Sequence, residues 1–91
     1  MTMQNVWVIS EDNHGIIGVA ISILAGKQWL IDSAWVTMVT EIWIPQTQEV
    51  VTLGDLYGEN WEKHFLSCDE GELEDMGFFF RKMELHKEIR G

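Results

Sequence analysis

From Gln4 to Ser10 the chain is rich in β-branched and aromatic residues, and from Ile16 to Ile21 the same pattern resumes. Between them, Glu11-Asp12-Asn13-His14-Gly15 supplies turn formers, with Gly15 free to take a positive φ. Residues 4–21 therefore predict a β-hairpin closed by a five-residue loop. Ser22 opens a predicted helix over 22–35, because its hydroxyl can accept from a backbone N–H that the first turn leaves without a partner. Along that helix Ile23, Leu30 and Ala34 form one apolar stripe, while Leu24, Ile31 and Trp35 form a second on a different face. Gly26 weakens the helix by about 1 kcal/mol relative to Ala and allows it to approach a sheet closely.

Thr40 to Ile44 alternates as a half-buried strand, 40–44, and Pro45 ends it because proline has no N–H for the ladder. Gln46 to Glu49 reads as a turn. Thr52 and Asp55 resemble a capping box, and Leu53, Tyr57, Trp61 and Phe65 recur every fourth residue behind it, which predicts a second helix over 52–67 with its weak point at Gly58. Glu59 and Lys63 are ordered for an i,i+4 ion pair, worth a few tenths of a kcal/mol. Asp69 to Asp75 is an acidic connection with room for one helical turn. Gly77 reopens a β pattern, giving a strand over 77–85 and a frayed tail over 87–91. The expected architecture is a single α+β domain spanning 1–91, in the order β-β-α-β-α-β, with a mainly antiparallel sheet and two helices packed on one face.

Length and composition narrow the class. Ninety-one residues make one domain, and a chain of that size buries about two-thirds of the surface its unfolded form exposes. An apolar fraction of 46% fits a globular protein rather than a disordered one. No apolar run approaches the roughly 18 residues of a membrane span. Met1 to Asn5 lack the basic and apolar segments of a secretory signal, so the cytoplasm is the expected location. Cys68, the single cysteine, excludes an internal disulfide and a cysteine-rich zinc site.

Charge adds a direction. A net charge of −9 repels nucleic-acid phosphates and anionic lipid, so the expected partner is a basic protein surface rather than nucleic acid or a membrane. Asp55, Glu59, Glu62, Asp69, Glu70, Glu72, Glu74 and Asp75 crowd one segment in which Lys63 is the sole base, whereas Arg81, Lys82, Lys87 and Arg90 lie near the C-terminus. Charge runs of this kind keep small proteins soluble. Carboxylates spaced along a helix and its following loop also imitate a row of phosphates and suit an Arg/Lys-lined channel. A second candidate surface is the stripe of Leu24, Ile31 and Trp35, which one sheet cannot cover together with Ile23 and Leu30. It calls for the second helix, a loop or another chain, and Trp is a favoured interface anchor.

Catalytic signatures are missing. His64 and Cys68, four apart on the second predicted helix, are the one pair with the spacing of a base and thiol or of two metal ligands, but no protease signature surrounds them and two ligands are too few for structural zinc. His14 belongs to a turn, and His86 has still less context. The acidic run over 69–75 lacks the EF-hand order of ligands, and no phosphate loop, G-x-S-x-G elbow or H-E-x-x-H is present. The expectation is a non-enzymatic protein with no cofactor and no metal.

The stretch Val6-Trp7-Val8-Ile9-Ser10, its acidic turn, Gly18-Val19-Ala20-Ile21-Ser22, the helix bearing Trp29-Leu30-Ile31 and the later Leu56-Tyr57-Gly58-Glu59-Asn60-Trp61 resemble small phage and prophage proteins. Small acidic proteins of that origin include anti-CRISPR and anti-restriction inhibitors, several of which display charge as nucleic acid does. The resemblance implies an inhibitor that binds a host nuclease or CRISPR effector in the host cytoplasm by nucleic-acid mimicry. The alternative is a homodimeric structural or regulatory accessory protein, with Leu24, Ile31 and Trp35 as its self-interface and an acidic surface that only maintains solubility.

Overall fold

The structure, a computed structural model, describes residues 3–86, with side chains described over 5–84, so the predicted tail lies outside the described residues. Strands β1 (Met3–Glu11) and β2 (Gly15–Ala20) form the predicted antiparallel hairpin. Gly15 takes φ +72° to close the turn, and the N–H groups of His14 and Asn13 donate to the Glu11 carbonyl and carboxylate. Ile9 pairs with Gly18 while Ser10 pairs with Ile16, which leaves Ile17 as a bulge. Strand β5 (Phe78–His86) lies antiparallel on the other side of β1, from Glu11 opposite Phe78 to Met3 opposite His86. The main sheet thus runs β2-β1-β5.

The strand expected at 40–44 does not join it. As β3 (Glu41–Ile44) it pairs with β4 (Glu49–Thr52) in a separate two-stranded sheet. The turn expected at 46–49 occupies Pro45 to Gln48, with Gln48 at φ +55°, and Glu49 opens β4. Thr52 hides the short strand because it both ends β4 and caps the next helix. The protein is α+β as expected, with more elements than the sequence predicts and, among the described residues, two sheets in place of one.

Helix α1 (Ile23–Asp32) starts as predicted, Ser22 Oγ accepting from the Ala25 N–H at 3.0 Å. It stops short of Trp35 because Ala34 enters the left-handed region at φ +62° and Ser33 Oγ turns back to donate to the Trp29 carbonyl. The second predicted helix is broken where Gly58 takes φ +59°. It becomes α2 (Leu53–Tyr57), a 3-10 turn (Gly58–Asn60) and α3 (Trp61–Ser67). The Thr52–Asp55 capping box is reciprocal, at 3.0 and 3.2 Å. The acidic connection forms α4 (Glu70–Asp75), capped by Asp69, whose carboxylate accepts from the Glu72 N–H at 2.9 Å.

One face of the main sheet carries the core. Ile9, Leu30, Val36, Leu53, Phe65, Leu73 and Phe78 are buried together, with Phe80, Ile31 and Trp35 packed at the margin. Gly26 sets the approach of α1, since a Cβ there would meet a Phe80 ring carbon at 2.5 Å and Ile9 Cδ1 at 3.0 Å. Trp29 lies over Gly18 in the same way. Lys27 is buried, and its ammonium donates to the carbonyls of Leu66 and Cys68. It thereby satisfies the negative end of α3, which offsets the cost of desolvating the charge.

Candidate interaction surface

The eight predicted acids lie along one stretch of the chain, in α2, the 3-10 turn, α3, the Asp69 cap and α4. Asp55, Glu59, Glu62, Asp69, Glu70 and Glu74 are exposed, and Glu72 and Asp75 are half-buried. Asp55 and Asp69 serve as caps as well as charges, and Glu70 and Glu72 sit in the first turn of α4, where the helix dipole favours them. Among the described residues no Lys or Arg comes within 4.0 Å of a carboxylate, and His14 with Glu11 is the one ion pair. The expected Glu59–Lys63 pair is not closed, because Gly58 places Glu59 in the 3-10 turn and breaks the helical register to Lys63.

Three acids not singled out in the sequence extend the negative surface. Glu11, Asp12 and Glu41 join Glu74 and Asp75 around an open cleft of about 350 Å³ that Trp35, Met76 and Phe78 also line. The hairpin turn and β3 bring them there, with the Asp12 N–H donating to the Gly77 carbonyl at 3.0 Å. Glu11 Oε1 lies 2.7 Å from His14 Nδ1, and this bond holds its carboxyl below the usual carboxylate range, against a smaller opposing effect of burial. His14 in turn stands edge-on to Trp35, ring centres 5.2 Å apart. The only signal for this cleft in the sequence is the Glu11-Asp12 pair inside a turn.

The structure does not assemble the Leu24, Ile31 and Trp35 stripe. Leu24 is exposed, whereas Ile31 and Trp35 pack against the core, and Trp35 lies beyond the end of α1. The apolar surface that does emerge is the second face of the main sheet, opposite the helices. Val8 stands between Val19 and Arg81, and Ser10 between Ile16 and Phe79. Val6 faces Met83, and Ile21, just past β2, continues the alternation on the same side at 83% exposure. Ile16, Val19, Phe79 and Met83 are also exposed.

His64 and Cys68 do not act on one another. The His64 ring stacks on Tyr57 at 4.2 Å, and among the described residues no hydrogen bond joins it to Cys68. Cys68 caps α3, and burial pushes its thiol up to about 11, with Glu72 and Asp69 adding to the shift and Lys27 opposing it. At that value the thiol is protonated at neutral pH, which is the wrong state for a nucleophile. Burial, then the charges of Glu72 and Cys68, raise the Tyr57 hydroxyl as well. Among the described residues no three His, Cys, Asp or Glu side chains gather as a metal site, and no helix is long and apolar enough to cross a membrane.

No protein-family profile, curated protein or solved structure matches this chain.

Proposed function

We propose that this chain is a non-enzymatic interaction protein that uses its acidic helical segment to occupy a basic groove on another protein. The reading we favour is a phage-type inhibitor acting in the host cytoplasm on a nucleic-acid-binding defence protein, such as a nuclease or a CRISPR effector. The observation that carries it is the run of carboxylates over α2 to α4 with no Lys or Arg within ion-pairing distance among the described residues. Exposed charges without an ion-pair partner among the described residues extend an attractive field over about 8–10 Å at physiological salt. The cleft between the hairpin turn, β3 and α4 supports the same reading, since its carboxylates suit an inserted Arg or Lys side chain. Exposed pairs are individually weak, so affinity rests on their number and on the half-buried Trp35 that lines the cleft.

The experiment is capture of host proteins at low and at high salt by the wild-type chain and by a variant carrying Glu70→Gln, Glu72→Gln, Glu74→Gln and Asp75→Asn. The proposal expects a basic protein retained at low salt, released at high salt and lost with the variant. Equal retention by the two chains contradicts it.

A further inference from the structure

We propose that the open face of the β2-β1-β5 sheet is a self-interface, on which two copies of this chain pack face to face. Among residues 5–84, whose side chains the structure describes, the face is apolar apart from Ser10 and Arg81 and bears no carboxylate, although the chain has a net charge of −9. Ile16, Val19, Ile21, Phe79 and Met83 are all exposed on it, and a contiguous apolar patch beyond the roughly 300–600 Å² of a typical monomer marks an interaction site. A specific interface buries roughly 1,200 Å² in total at its lower bound, so a dimer on this face would use nearly all of it. A twisted three-stranded sheet is also the shape that another such sheet fits, at about −30° and about 10 Å.

A second copy is favoured over a basic or an acidic partner because, among the described residues, the face holds a single charge, at its edge. Arg81 lies on edge strand β5, and Val8 occupies the middle of the central strand. A two-fold axis along β1 sets Val8 against its own copy, Ile16 over Phe79, and each Arg81 over Val19. The two guanidinium groups then leave by opposite edges, their stems covering apolar surface. An axis across the strands would instead stack Arg81 on Arg81, burying like charges, and is excluded on that ground.

Acidic copies repel at long range, so this association tightens as salt rises, opposite to the binding of a basic partner. Sedimentation velocity at about 100 µM, in low and high salt, reads it directly. The expected result is a dimer strengthened by salt, abolished by Val19→Lys and tightened several-fold by Arg81→Leu. Val19 is 61% exposed, so the lysine leaves the fold intact, as the circular dichroism spectrum and melting curve should show. The four-acid variant keeps or strengthens the dimer while losing host-protein capture, which separates this interface from the proposed function. A wild-type monomer at high salt, a dimer weakened by salt, or a folded Val19→Lys variant that still dimerises overturns the proposal. A monomer whose Val19→Lys variant loses capture of a host protein likewise overturns it and gives the face to that protein.

Discussion

At Gly26 two opposing effects meet. Alanine would add about 1 kcal/mol of helix propensity, but its methyl would enter the space of the Phe80 ring and of Ile9, the latter fully buried. Overpacking of that kind costs about 1–3 kcal/mol, so Gly26→Ala should destabilise the domain by roughly 1 kcal/mol net in urea denaturation, and an unchanged midpoint would show that α1 does not sit so close. Cys68 and Tyr57 make the second prediction at this scale. Both have folded-state values raised above their ordinary ones, so the unfolded chain loses these protons first as pH rises. Their contribution is fully present below about pH 8.5 and falls as pH approaches about 11, where the folded Cys68 thiol ionises. Denaturation curves between those limits should show stability declining, with a shallower decline in Cys68→Ser. An identical slope in the two proteins would mean that Cys68 is not shielded from water.

The elements were legible in the sequence where two local signals agreed. Alternating β-branched residues met a turn containing Gly15, and the hairpin formed; Ser22 and the Thr52–Asp55 box capped the helices they were expected to cap. Legibility failed where one residue plays two parts or adopts a conformation its type disfavours. Thr52 ends a strand and caps a helix, so β4 was absorbed into a turn and a helix start. Ala34 takes a left-handed conformation normally given to glycine, so the sequence offers no stop signal before Trp35. That strain is testable: Ala34→Gly relieves about 1–2 kcal/mol of backbone cost against about 0.5–1 kcal/mol of added chain entropy. The expected outcome is a melting temperature raised by a few degrees, and a lowered one would contradict the end assigned to α1.

For the molecule as a whole, the acidic segment could be counted from the sequence but its completion could not. Glu11, Asp12 and Glu41 reach the cleft beside Glu74 and Asp75 only because the hairpin turn and β3 fold back onto α4. The open sheet face was visible in principle, since Val6 and Val8 alternate with Trp7 and Ile9 and leave β1 apolar on both sides. What sequence could not say is that all the helices would choose the Ile9 side. The described residues thus carry exposed carboxylates on the helices and exposed apolar side chains on the open strand face. We propose a basic partner for the first and a copy of this chain for the second.

The most direct test of the acidic surface is the salt dependence of affinity for a captured host protein, measured with the wild-type chain and the four-acid variant. The wild-type dissociation constant should rise steeply with ionic strength, and the variant should bind weakly with a much flatter slope. Superimposable salt curves would show that the carboxylates of α4 take no part in binding.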